Sequence, residues 1–268
     1  MQKLSITTAW NESAEFLKGN FGALFTVALA FMALPSVAMQ ALGPGQLRPG
    51  DTPPTGLWML LVPIVIVLSI VGTLAISSLA LRRENVIGAA IAHGFRRFLP
   101  MLGATLLIAV GLCIVVVPIV LALGLNPESL RNPTPGAAGG LLLAFLLIAI
   151  IVIAVWVKLM LMTPVAAAER VGPIGIIRRS WGLTRGHFWK LLGFVILMII
   201  VLLVVGMVVG LLFGLLVAAV AGAPEPGSLA GLLLLLASAL VNAAFGVVLT
   251  TMVARIYVQL AGEPTTGS

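Results

Sequence analysis

Six apolar runs, each of roughly 18 residues or more, recur along this chain and limit what it can fold into. About 20 helical residues cross the ~30 Å hydrocarbon core of a bilayer. Lipid offers no partner to a bare backbone N–H or C=O, and runs without period-two alternation satisfy those groups as helices. The sequence therefore predicts an all-α, polytopic six-transmembrane-helix bundle, with spans at about 20–42, 57–81, 99–125, 141–168, 191–221 and 229–260. These form one integral membrane domain over residues 1–268. Composition agrees: 61% hydrophobic residues, 9% charged and a mean hydropathy of +1.22 exclude an ordinary soluble domain. The single cysteine, Cys113, sits inside an apolar run, so neither an intrachain disulfide nor a cysteine metal cluster is expected.

The net charge of +7 is sorted by loop, which is the pattern of a positive-inside bias and not of a nucleic-acid surface. Lys3, Lys18, Arg82, Arg83, Arg96, Arg97, Arg170, Arg178, Arg179, Arg185 and Lys190 make 11 on one side, against Arg48 and Arg131 on the other. Both termini are expected in the cytoplasm, in a bacterial plasma (inner) membrane. A mixed-charge segment precedes the first apolar run, which reads as an uncleaved span and not as a signal peptide.

Three segments have helical amphipathic spacing. In Lys3 to Lys18, Ile6, Trp10, Ala14 and Leu17 share a face, with Asn11, Glu12, Glu15 and Lys18 opposed. In Arg82 to Phe98, Ile87, Ile91, Phe95 and Phe98 oppose His93, Arg96 and Arg97. In Glu169 to Lys190, Pro173 suits a first helical turn, and Ile174, Ile177, Trp181 and Phe188 fall together, away from Arg178, Arg179, Arg185 and His187. Each is expected to lie flat at the cytoplasmic membrane surface. Offsets of 81 and then 90 residues carry Ile6 to Ile87 and Ile177, Trp10 to Ile91 and Trp181, and Gly22 to Gly103 and Gly193. The chain thus reads as three copies of one unit, an amphipathic helix followed by two spans, in a pseudo-threefold bundle.

The third amphipathic segment, with Glu169-Arg170, Gly172-Pro173-Ile174, Arg179-Ser180-Trp181, Leu183-Thr184-Arg185-Gly186 and Phe188-Trp189, resembles the signature of the glycerophosphoryl diester phosphodiesterase membrane domain. Ala9-Trp10 near the start and Tyr257 in the last span extend the likeness over most of the chain. The resemblance implies a six-span membrane module, which in that family can precede a soluble phosphodiesterase domain. Here the chain ends 8 residues after the last span, at Ala261 to Ser268, so the membrane part alone is expected. The His-Arg and Glu-Asn-Thr motifs of the phosphodiesterase are absent from this sequence, so the likeness implies a fold and a location without a reaction.

No catalytic residue, cofactor site or metal site emerges from the remaining chemistry. The eight carboxylates, Glu12, Glu15, Asp51, Glu84, Glu128, Glu169, Glu225 and Glu263, all avoid the middles of spans. Glu84 and Glu169 end spans two and four beside arginines, which reads as ion-paired caps. His93 and His187 lack a second ligand at metal-like spacing, and a headgroup or water contact is expected for each. Lys158 is the unusual charge, about ten residues or 15 Å inside span four, either an intramembrane polar site or a side chain snorkelling to the interface. Arg255 reads as an interfacial anchor. Gly206, Gly210 and Gly214 form a stripe suited to close helix packing, and Pro35, Pro63, Pro118 and Pro164 are expected to kink spans or sit near their ends.

Two functions stay open on this reading. One is a non-catalytic module whose Arg178, Arg179 and Arg185, beside Trp181 and Trp189, hold anionic lipid headgroups, or a protein partner in the membrane, at the cytoplasmic face. The other is a transporter or flippase-like carrier of a lipid or amphiphile, with Lys158 and the span prolines lining its path. A membrane-embedded enzyme is a weaker third, since no G-x-S-x-G, HExxH or intramembrane pair of acids occurs.

Overall fold

The computed structural model describes residues 4–43, 56–82, 86–122, 135–222 and 228–262. Among these, the regular elements are all helices, and six stretches are long and apolar enough to cross a membrane. Helix α1 (Ile6–Ala28) passes through one wide π-type turn, Leu29–Ala33, into α2 (Leu34–Leu42). There follow α3 (Leu61–Arg82), α4 (Ile87–Ala122), α5 (Pro135–Leu159), α6 (Met162–Ala168), α7 (Pro173–Leu183), α8 (Phe188–Ala221) and α9 (Leu229–Ala261). Lys3, Arg48, Arg83 and Arg131 lie outside the described residues, as do Asp51, Glu84, Glu128, Glu225 and Glu263.

The first two amphipathic segments are not separate helices. The first runs through Lys18 into its span as α1, and the second runs past Phe98 as α4. Only the third stands alone, because the chain turns at Thr184 to Gly186 before α8 begins. Gly186 has φ +85°, a left-handed conformation that costs a glycine least. The equivalent residues in the other units are Glu15 and Arg96, good helix formers that let the helix continue. Proline effects also differ by site. Pro164 has no N–H to return to Met160, and span four breaks at Met160 and Leu161 between α5 and α6. The π turn directly precedes Pro35, whereas Pro118 sits inside an unbroken α4.

The three-unit order is realised as a closed ring. Helix α4 packs along α3, α7 against α5 and α6, and α1 against α9. Each unit's leading helix therefore docks on the second span of the preceding unit, with the first unit docking on the last. The second spans meet at the centre, where α3 touches both α6 and α9. Leu74, Ile76, Val165, Ala166, Met252 and Ile256 are buried there.

Each leading helix docks on the bundle by a side rich in small residues, and not by its stripe of large apolar ones. The buried residues include Ala9 and Ser13, Ala90 and Gly94, and Ser180 and Thr184, the last pair in line with the buried Ile176. These three pairs correspond under the same 81- and 90-residue offsets. Trp10, Phe95, Ile174 and Trp181, all part of the apolar stripes expected to meet the membrane, are exposed. Small residues four apart let helix backbones approach closely, and in lipid the large apolar side chains have no reason to turn inward. A close approach to backbone falls at Gly94, where an added Cβ would lie 2.8 Å from the Val71 carbonyl oxygen of α3.

Away from this packed end the helices part. No residue of α4 after Ala104 is buried, and α8 buries none between Met198 and Val217. The glycine stripe lies in this region and does not pack as expected, since nothing lies within 4 Å of a Cβ placed on Gly206, Gly210 or Gly214. Gly206 and Gly210 instead line a groove of about 430 Å³ between α8 and α9, where Leu202, Phe213 and Leu234 hold the two backbones apart.

Candidate functional site

The third unit collects most of the polar chemistry. Helix α7 starts at Pro173, whose missing N–H is no loss in a first turn, with Gly172 as its N-cap. Its seat is the break in span four. Between α5 and α6 the helical hydrogen-bond ladder is interrupted, and the Lys158 carbonyl accepts from Ser180 Oγ at 3.0 Å and Thr184 Oγ1 at 3.3 Å. Two hydroxyls on the buried side of α7 thus replace a missing backbone donor, the kind of repair that makes a broken span tolerable in lipid. The helix is held against the bundle and does not merely float across its surface.

A second tie lies at the other end of α7. Glu169 Oε1 accepts from Arg179 Nε at 2.9 Å and from the Tyr257 hydroxyl at 2.8 Å, joining the α6–α7 link to α7 and α9. The two bonds differ in weight. Tyr257 is buried and donates to a charged group, worth about 1.5–3 kcal/mol. The Arg179 side chain is 47% exposed, and such a screened pair contributes at most about 1 kcal/mol. The ion-paired cap expected of Glu169 is present, and Arg179 is directed to it and away from a shared arginine surface. The corresponding expectation for Glu84 lies outside the described residues.

Arg178 and Arg185 are exposed, and among the described residues neither has a polar partner. Trp181, 46% exposed, stands between them in the chain on the same open side as Ile174, and Trp189 is 80% exposed just beyond the turn. Lys158 belongs to the same neighbourhood. Its Nζ lies 5.7 Å from the Trp181 ring centroid and 5.6 Å from that of Phe188, so two aromatic faces hold the ammonium at the elbow between α7 and α8. Behind the elbow, a cleft of about 370 Å³ opens between α3, α5, α6, α8 and α9, lined in part by Trp156, Met160, Phe194 and Val195.

Residues 4–260 match the family described as a domain of unknown function, DUF7847. The chain belongs to that family. None of the curated proteins and none of the solved structures matches it.

Two further expectations change in this DUF7847 domain. Arg255 is not an interfacial anchor: it is 5% exposed inside the bundle, its guanidinium 5.1 Å from the Phe16 ring centroid. The ring closure brings α1 against α9 there, which a reading of span six alone could not reveal. His93 has a partner within the protein, its Nε2 lying 2.9 Å from the Ala167 carbonyl oxygen, so that ring nitrogen carries the hydrogen. Among the described residues no group of three His, Cys, Asp or Glu could hold a metal ion. Ser180, Thr184 and Tyr257 were absent from the candidate set. The offsets that align Ser180 with Ala9 and Ala90, and Thr184 with Ser13 and Gly94, are the sequence signal that points to the first two.

Proposed function

We propose that this protein is a non-catalytic membrane module that binds the phosphate of anionic lipid headgroups at the open side of α7. The observation that carries the reading is the pair Arg178 and Arg185, exposed on either side of Trp181 on a helix locked to the bundle. Guanidinium groups beside an interfacial tryptophan suit a phosphate at headgroup level. Arg179, already paired with Glu169, adds little to this surface. The likeness of Glu169 to Trp189 to the glycerophosphoryl diester phosphodiesterase membrane domain is compatible with such a module.

Each basic residue near an anionic surface contributes about 1 kcal/mol, so Arg178→Gln with Arg185→Gln removes about 2 kcal/mol, or roughly thirtyfold in affinity. Mass spectrometry of the purified proteins should find phosphatidylglycerol and cardiolipin depleted in the double variant. Equal anionic lipid in two well-folded samples would leave the arginines only a topological role and end this reading.

The same proposal places the module in a bacterial plasma membrane with both termini in the cytoplasm, on the 11-to-2 distribution of Lys and Arg. In a Cys113→Ser background, an impermeant maleimide should label Gly50→Cys in intact cells and reach Arg170→Cys only after permeabilisation. The reverse pattern would invert the topology.

A further inference from the structure

We infer that the cleft behind the α7–α8 elbow is the acyl slot of one anionic phospholipid, whose acidic headgroup is paired with Lys158. This deepens the headgroup reading, on which it rests for the acidic group, and adds a chain-binding site and a third cation.

The cleft and the cation are linked along α8. On α8, Phe188 touches the Lys158 ammonium, and Val195, seven residues on, lines the cleft. Seven residues are about two turns, so Phe188 and Val195 share one face about 10 Å apart. A molecule lying along that face meets apolar walls first and an ammonium at the end nearer α7. A volume of about 370 Å³ falls within the ~300–1,000 Å³ range of preformed ligand sites, which bury apolar surface and orient it with a few polar groups.

Those polar groups suit a lipid ester. Thr163 and Thr250 line the cleft, and their hydroxyls can donate to the ester carbonyls where an acyl chain joins glycerol. The ammonium of Lys158 is fixed between Trp181, on the helix that carries Arg178, and Phe188, just past the turn that carries Arg185. Apolar walls, hydroxyls and a nearby cation are the groups that the chain, ester and phosphate of a phospholipid call for. The outer half of α4, with Leu106, Val110 and Ile114 exposed, offers lipid an apolar surface without that combination.

The test uses the full chain in phosphatidylcholine vesicles doped with phosphatidylglycerol that carries a diazirine on one acyl chain. After photolysis, peptides containing Trp156, Met160, Phe194 and Val195 should be labelled more heavily than those containing Leu106, Val110 and Ile114. Excess unlabelled phosphatidylglycerol should suppress the cleft label, and excess phosphatidylcholine should not. Lys158→Gln should reduce it about fivefold, the effect of losing one basic residue, and Lys158→Arg should restore it. Equal labelling of cleft and α4, or equal suppression by the two lipids, would overturn the inference even if a Lys158 variant failed to fold. A folded Lys158→Gln labelled like the parent would overturn it as well. In any of these outcomes, loss of phosphatidylglycerol from the Arg178/Arg185 variant would still sustain the headgroup reading. Conversely, Lys158-dependent cleft labelling beside unchanged lipid in that variant would sustain the slot and end the arginine site.

Discussion

Replacing Gly94 with leucine is expected to cost about 3 kcal/mol and to sharply reduce the yield of folded protein, because overpacking of a close contact forces backbones apart. A Cβ there would lie 2.8 Å from the Val71 carbonyl oxygen, and a carbonyl in the middle of α3 cannot swing aside as a flexible side-chain end would. The contact also belongs to the longest seam of the ring, where α4 lies along α3. Gly88 in the same helix supplies the control, since nothing lies within 4 Å of a Cβ placed on it. Thermal unfolding followed by size exclusion in detergent should show a large drop for Gly94→Leu and almost none for Gly88→Leu. Indistinguishable midpoints would mean that α3 and α4 do not approach as closely as described.

The second large effect is expected to be non-additive. Ser180 donates to the Lys158 carbonyl at 3.0 Å, whereas the single hydroxyl hydrogen of Thr184 is shared among the carbonyls of Lys158, Ser180 and Trp181 at 3.3, 3.1 and 3.1 Å. With Ser180→Ala, Thr184 can turn fully to Lys158, and with Thr184→Val, Ser180 remains in place. Either single change should therefore cost less than about 1 kcal/mol, while the double leaves a carbonyl in a water-poor site without a donor, at about 2–3 kcal/mol. Unfolding of the four proteins in a double-mutant cycle measures the coupling. Two small costs that simply add would show that the break in span four is satisfied in some other way.

The six spans were legible because a bilayer demands length and apolarity, and both are properties of the sequence alone. The docking faces were not, for a reason that belongs to the solvent. In water a large apolar residue signals burial; in lipid it signals nothing, because the surroundings are equally apolar. Trp10, Ile174 and Trp181 therefore mark outward faces, and the inward faces carry Ala9, Ala90 and Ser180. The repeat offsets that relate Ile6, Ile87 and Ile177 also relate Ala9, Ala90 and Ser180, so the small-residue faces share the register of the large ones. Arg179 shows another limit: its partners Glu169 and, through it, Tyr257 are 10 and 78 positions away in the chain, and only the folded ring brings them together. The exposure of Arg178 and Arg185 was legible, because a surface charge needs no distant partner.

The closing of the ring has a consequence for how the protein is made. The face of α1 that carries Ala9 and Ser13 rests on α9, the last span to leave the ribosome, and Ser5 N–H donates to Gln259 Oε1 at 3.1 Å across the whole length of the chain. About 200 residues separate the two helices, which at ~5–20 residues per second amounts to a delay of about 10–40 s. Throughout that interval the first helix sits in the membrane without its neighbour, and the seam that completes the bundle is also the one formed last. Until α9 arrives, the Ala9 and Ser13 face of α1 has no helix to close on.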